Sequence, residues 1–498
     1  LFVKEKMDDR FYYDYKEQLL IYTLPGGNVT VNLTDAGYIE SGEFVTSDHL
    51  LAVEKSGEVF VAVDYLKKYV NFTYEFHPAD TYGEDDEIKI PARLVLYTEW
   101  EDRQVADINK DTQIRVKGGI KSEVLEDLCK GEAVTVVEEM ESWTKVMTGT
   151  AVIGYVENKC LDEPYIVAAT PETAVAAPEY PSLTRDHKIN MVWNLVTNVD
   201  ANEKTESLLA QTKGINTISP TWFALSDNEG NISSCASSSY VSNMHAKGIE
   251  VWAMLDNFTH EGIDLMEILP YTSKRGVLIT NVLAQAQSLS IDGINLDFES
   301  VPREAAQDYI QFIRELSLAC HQNNLVLSVD NYVPTEYTEH YNRKEQGVFA
   351  DYVIIMGYDE HWLGSTTPGS VASIDYVENG IADTVAVVPK EKVINALPFY
   401  TILWGVGDKV TSKALAMGAA ETHVRSKGVT AAWDEATCQN YAAYSEDGVD
   451  YQIWLEDEKS IEIKLNVMKQ YGIAGVSGWR LGMEKQVIWD KIAEYMAE

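Results

Sequence analysis

The sequence predicts an α/β protein whose C-terminal part, residues 187–498, folds as a (β/α)8 TIM barrel. Two patterns predict this. From Ile189 onward, strand-like and helix-like runs alternate eight times, the signature of βα units wound around a parallel sheet. The fourth strand-like run also ends in two acids on one face, at the end of the strand where barrel enzymes place their chemistry. The remaining residues divide into two smaller units and a connecting stretch.

The first 104 residues read as a small α+β, stalk-like domain. Runs such as Glu58-Val59-Phe60-Val61-Ala62-Val63 and Ala92-Arg93-Leu94-Val95-Leu96-Tyr97 are strand-like, and Tyr65-Leu66-Lys67-Lys68-Tyr69 reads as one helical turn. This segment resembles the stalk modules of some copper amine oxidases and bacterial envelope proteins, and no catalytic cluster stands out in it. Residues 105–163 read as an all-β unit of short strands. Ile114 and Val116 alternate with Arg115 and Lys117, and the runs around Trp143 and Tyr155 follow at turn-separated spacing. That order resembles a bacterial SH3-like domain, which implies a cell-wall ligand contacted by Trp143 and Tyr155; the alternative is a spacer with both aromatics in its core. Residues 164–186, with Pro164, Pro171, Pro178 and Pro181 among Ala, Thr, Val and Glu, suit a semi-extended linker.

In the barrel region the expected strands cover 189–196, 217–225, 249–257, 291–299, 325–332, 352–358, 393–400 and 473–479. The helix expected over 303–321 sets Ile310, Phe312, Ile313 and Leu316 against Asp308, Gln311 and Arg314, with Pro302 where a first turn tolerates it. The span between the seventh and eighth strands is too long for one crossover, so residues 405–455 are expected as a small inserted flap.

Composition narrows the function. The chain has 498 residues and a formal net charge of −38 at pH 7. Such a surface repels phosphate backbones and anionic membranes, so no nucleic-acid partner is expected. No apolar run reaches the length of a membrane span. The five cysteines, Cys129, Cys160, Cys235, Cys320 and Cys438, show no metal-ligand spacing. Most are expected as buried small side chains, with a Cys129–Cys160 pair left open. The chain starts at Leu1 without a basic or apolar leader pattern, which leaves both a processed and a trimmed start open. The oligomeric state is not legible.

The chemistry is carried by Asp292-Gly293-Ile294-Asn295-Leu296-Asp297-Phe298-Glu299. Alternation puts Ile294, Leu296 and Phe298 on the face that packs under helices. Gly293, Asn295, Asp297 and Glu299 then point into the barrel, an interior normally filled by branched apolar side chains. Three successive inward polar groups are costly without a purpose. Asp297 and Glu299 stand about 6.6 Å apart along the strand, two rises of roughly 3.3 Å, and their repulsion favours keeping one proton between them.

This run resembles the Asp-Gly-x-Asp-x-Asp-x-Glu signature of glycoside hydrolase family 18, the chitinase-like enzymes, with Asn295 in place of the middle Asp. Asn at that position resembles the branch that acts on spore and cell-wall glycans. Met356-Gly357-Tyr358-Asp359, Pro398-Phe399-Tyr400 and Gly478-Trp479-Arg480 resemble further family motifs, while Ile402 stands where the family often has Arg. The resemblance implies a retaining, substrate-assisted N-acetylglucosaminidase with Glu299 as acid and base, and with Asp297 and Tyr358 placing the acetamido group. It implies Asn295, Trp479, Asp359, Tyr400 and Trp193 as substrate-binding residues, and neither metal nor cofactor. Peptidoglycan or another N-acetylglucosamine-containing glycan is the implied substrate, and an extracellular or envelope site the implied location. A chitinase and a non-catalytic lectin are the alternatives. With Asn at 295 offering only a neutral hydrogen bond, Asp297 is expected to titrate more simply and the pH profile to be less acid-shifted.

Overall fold

The computed structural model describes residues 2–82, 88–172 and 174–497. The chain forms two compact units, Leu1–Phe11 with His49–Ala177, and Tyr12–Asp48 with Pro178–Glu498.

In the larger unit eight parallel strands close into a barrel. They are β1 (Ile189–Asn194), β2 (Thr217–Pro220), β3 (Glu250–Asp256), β4 (Gly293–Asp297), β5 (Val326–Tyr332), β6 (Tyr352–Met356), β7 (Val393–Pro398) and β8 (Gly475–Trp479). Each lies within its expected run. β2 is followed after a two-residue break by a short strand, Phe223–Leu225, which also pairs with β3. Burial on both faces explains uninterrupted apolar strands such as Tyr352-Val353-Ile354-Ile355-Met356. Gly293 has a specific reason to be glycine. A Cβ there would stand 2.8 Å from both Trp252 Cδ1 and the Val326 carbonyl oxygen. Its absence lets Trp252 stack on Tyr352, ring centroids 5.3 Å apart, and fill the barrel interior.

Helices α1 (Thr272–Leu289) and α2 (Ala306–Gln322) flank β4. Ile310, Phe312, Ile313 and Leu316 of α2 are buried, and Phe298 stacks on Tyr309 and Phe312. The opposite, polar side of α2 is buried as well, contrary to the amphipathic expectation. The reason is a five-stranded antiparallel sheet formed by residues 11–46. It is the part of the expected 1–104 domain that belongs to the barrel unit. Tyr12 donates to Asp308 at 2.6 Å, and Gln311 donates to Thr23 at 3.3 Å. Arg314 pairs with Glu345 at 2.7 Å, and Arg275 of α1 pairs with Glu315 at 2.7 Å.

The expected linker is also structured. Tyr165–Val167 adds a strand beside Arg103–Asp107 in the smaller unit. In the barrel unit, Leu183 N donates to Asp351 and Arg185 pairs with Glu250 at 2.8 Å.

Between β7 and β8 the chain builds an antiparallel sheet from Tyr400–Val406, Val410–Ala416, Ala432–Asp434, Gln439–Glu446 and Val449–Leu455, with helix α3 (Met417–Ser426). It has its own core of Leu403, Ala420, Val424, Ala442, Ile453 and Leu455. A buried Glu456–Lys464 pair at 2.7 Å, also bonded by Gln439 and Ser460, fixes its base.

The smaller unit is mainly β. Residues 103–167 form a seven-stranded sheet around Ile108, Ile114, Leu128, Val134, Val146, Val156 and Cys160. Antiparallel strand pairs 52–55 with 58–61 and 73–77 with 93–97 precede it. All five cysteines are free, which removes the Cys129–Cys160 pair; Cys160 and Cys320 are buried, whereas Cys129 is exposed and Cys235 and Cys438 are partly so.

Candidate active site

The site grows from two neighbouring strands. β4 and β5 run parallel with Asn295 opposite Ser328 and Leu296 opposite Val329. The alternation that turns Asn295, Asp297 and Glu299 inward on β4 therefore does the same for Ser328, Asp330 and Tyr332 on β5. The result is a polar ladder climbing towards the C-terminal ends of the strands.

Asn295 is its lowest acidic-motif rung and is fully buried. Its Oδ1 accepts from the Trp193 indole at 2.8 Å and from Ser219 at 2.9 Å. Its amide donates to Ser328 at 3.0 Å and to Asp330 at 2.8 Å. With both ends committed, Asn295 lies beneath the cavity and is not among the residues that line it.

Asp297 is buried one rung higher. Burial pushes its carboxyl well above the usual range, and the charges of Asp330, Glu299 and Asp256 push it further. β5 thus gives Asp297 a neighbouring carboxyl, Asp330, that the pattern of β4 alone does not contain. Glu299 caps the ladder, half-buried. Burial raises its carboxyl, the Tyr332 hydroxyl that donates to Glu299 Oε2 at 2.7 Å lowers it, and the charges of Asp359 and Asp256 raise it. Asn257, just after β3, holds the Glu299 backbone in both directions. Its Oδ1 accepts from Glu299 N at 2.8 Å and its amide donates to Glu299 O at 3.0 Å.

A cavity of about 180 Å3 opens over these groups, lined by Trp193, Phe258, Asp297, Glu299, Tyr332, Met356, Tyr358, Asp359 and Trp479. The Trp193 ring meets Trp479 edge-on at 5.9 Å and Tyr358 at 6.4 Å. Tyr358 is buried, which raises its hydroxyl well above the ordinary range and keeps it a donor. Tyr400 does not line the cavity; its hydroxyl donates to Asp359. Ile402 is buried and offers no replacement for an arginine contact.

Of the expected residues, Glu299, Asp297, Tyr358, Asp359, Trp479 and Trp193 thus meet around one cavity, while Asn295 and Tyr400 touch it through neighbours. Tyr332, Asp330, Asn257 and Phe258 were not anticipated. The alternation argument, applied to Ser328-Val329-Asp330-Asn331-Tyr332, carries a signal for the first two; Asn257 and Phe258 lie in the loop after β3 and have none.

A closed parallel barrel with stacked acids at the C-terminal end of one strand, under an aromatic floor, defines the class: a barrel glycosidase. Residues 259–484 match the family model described as glycosyl hydrolases family 18. The uncharacterized glycosylase YvbX of Bacillus subtilis is 27% identical over 292 residues, 56% of this chain and 84% of that protein. The cortical fragment-lytic enzyme of Bacillus anthracis is 28% identical over 225 residues, 43% of this chain and only about half (52%) of that enzyme. In fold, the chain is similar to the spore cortex-lytic enzyme SleL of Bacillus cereus, with a TM-score of 0.56 and 22% identity over 67% of this chain and 78% of that one. It is equally similar to a chitinase of Chromobacterium violaceum, with a TM-score of 0.56 and 22% identity over 62% of this chain and 99% of that one.

Proposed function

We propose that the barrel hydrolyses β-1,4 bonds of an N-acetylglucosamine-containing glycan, peptidoglycan above all, by a retaining mechanism in which the substrate's acetamido group is the nucleophile. The observation that carries this is the stacking of Glu299, whose carboxyl burial raises, above Asp297 on one strand, with both acids lining the same cavity. An acid is ready to donate, and an acceptor beneath it waits for an N–H.

Glu299 protonates the leaving glycosidic oxygen, and the acetamido carbonyl oxygen attacks the anomeric carbon as that bond breaks. Asp297 accepts the acetamido N–H and offsets the charge of the oxazolinium intermediate. Tyr358 donates to the acetamido oxygen and holds it in line, and Trp479 presents an apolar face to the ring. Glu299, now a carboxylate, takes a proton from water, which opens the intermediate with net retention. A cavity of about 180 Å3 is smaller than the roughly 300–1,000 Å3 of sites that swallow a whole ligand, which suits one sugar ring of a polymer whose remainder lies outside.

A wall substrate is favoured by Asn295, by the cortical fragment-lytic relatives and by the all-β unit, which we take as an SH3-like wall-binding module with residues 1–11 and 49–104 as its stalk. An extracellular or envelope location follows from that substrate. Mass spectrometry of products from purified peptidoglycan tests the reading. New reducing ends on N-acetylglucosamine, formed with retention and blocked by a thiazoline analogue, are expected. Release from chitin oligosaccharides but not from peptidoglycan would make the enzyme a chitinase, and initial formation of the inverted anomer would overturn the mechanism.

A further inference from the structure

The ladder leaves two buried oxygens without hydrogen-bond partners, Asp297 Oδ1 and Asp330 Oδ2. They belong to neighbouring strands. The β4–β5 register, continued one step beyond Leu296–Val329, sets Asp297 beside Asp330 across a strand spacing of about 4.8 Å. Asp330 is 1% exposed, and its other oxygen already accepts from Asn295. A buried acceptor with no donor is costly, and two adjacent buried carboxylates repel each other. One proton between the two oxygens answers both problems.

We propose that Asp330 supplies the carboxyl partner that the motif lacks at Asn295: it holds a proton, donates it in a hydrogen bond to Asp297, and so keeps the Asp297 carboxylate charged and fixed under the cavity. Asp330 is a positioning residue and acts through Asp297. The inference rests on the substrate-assisted reading above, since Asp297 has its task only there.

The surroundings agree. Asp330 faces Asn295 and Glu299 of β4 and the Trp193 indole of β1, and its charge acts on Asp297. The Tyr309 hydroxyl of α2 and the Tyr358 hydroxyl after β6 are in electrostatic reach of both acids, and Asp256 of β3 acts on Asp297. Arg343 acts on Tyr309 and Tyr341. The groups that face the pair directly are acids, amides, an indole and hydroxyls. No cation among them can neutralise it, so the neutralising charge is a proton. Burial pushes both carboxyls upward, with the charge of Asp330 adding to it at Asp297 and that of Glu299 at Asp330, in keeping with a pair that shares one proton.

The test is hydrolysis of a chromogenic N-acetylglucosamine oligosaccharide across pH by the full chain and its variants. Asp330→Asn keeps the shape and an N–H donor, and is expected to stay within about five-fold of the parent rate, whereas Asp330→Ala should lose about 30-fold or more in kcat with KM little changed. In Asp330→Ala the acid limb should move up by about one pH unit, because a buried Asp297 without its donor is harder to ionise. Adding Asn295→Asp to Asp330→Ala should restore both rate and limb. An Asp330→Asn variant as slow as Asp330→Ala, or an unmoved acid limb in Asp330→Ala, overturns the proposal. Should Asp330→Ala not fold, infrared difference spectra at neutral pH decide: the parent should show one protonated carboxylic C=O band that Asp330→Asn lacks, and identical spectra overturn it. The spectra need no substrate, so a parent silent on every glycan would sink the hydrolytic reading without touching the placement of the proton.

Discussion

Glu299 and Tyr332 make separable contributions at the head of the ladder. Glu299→Gln keeps the shape and removes the transferable proton, so hydrolysis should fall by about 10²-fold or more while oligosaccharide binding persists. Near-parental turnover would refute the assignment. Tyr332→Phe removes the hydroxyl that lowers the Glu299 carboxyl. Without it Glu299 ionises at higher pH. As the acid must be protonated to act, the alkaline limb of kcat/KM should move upward, and a downward or absent shift in the pH–rate profile would show that Tyr332 does not tune the acid. Asp297 and Glu299 were legible in the sequence because two inward acids on an otherwise apolar strand contradict a barrel interior. Asp330 and Tyr332 carry the same contradiction on β5. Their meaning depends on which rung of β4 each one faces, a register that one strand's pattern does not contain.

At the scale of elements, the sequence predicted strands better than surfaces. Parallel barrel strands are buried on both faces, and their apolar runs announce them. Helix α2 misleads because amphipathicity reports polarity and not solvent. Asp308, Gln311 and Arg314 look like a wet face, and they are buried because a sheet some 290 residues earlier in the chain supplies Tyr12 and Thr23 as partners. The same sheet completes α1. The residue before that helix, Tyr271, offers no side-chain cap, and buried Asp14 takes the role from outside, its Oδ2 accepting from Thr272 N at 2.8 Å and Thr272 Oγ1 at 2.6 Å. Asp14→Ala should therefore destabilise the barrel unit by about 1 kcal/mol, within the ~0.5–2 kcal/mol typical of lost caps, with kcat unchanged. Urea denaturation followed by intrinsic tryptophan fluorescence checks this, and an unchanged midpoint would show that the contact contributes nothing.

For the whole molecule, the division after Ala177 matters less than the one at Asp48. The sequence suggests that residues 187–498 alone make a complete barrel. The structure gives that unit Tyr12–Asp48 and Pro178–Asp186 as well, so a chain beginning at 187 would expose the buried polar side of α2 and leave Arg275 without Tyr12. Such a truncation confounds any loss of wall binding with loss of barrel stability. The informative variant instead replaces residues 49–177 with a flexible Gly/Ser segment joining Asp48 to Pro178, which keeps every part of the barrel unit. It should cleave soluble oligosaccharides at the parent rate. On insoluble wall it should be slower, because the excised unit no longer raises the local concentration of enzyme at the surface. A chain of net charge −38 is not held electrostatically to an anionic wall, so retention would have to come from contacts such as the half-exposed Trp143 and Tyr155. Sedimentation with insoluble peptidoglycan measures that retention for the parent and for the excised variant. Equal pelleting and equal wall activity would reduce residues 49–177 to a spacer, whereas loss of both with soluble activity intact would identify them as the part that brings the barrel to its substrate.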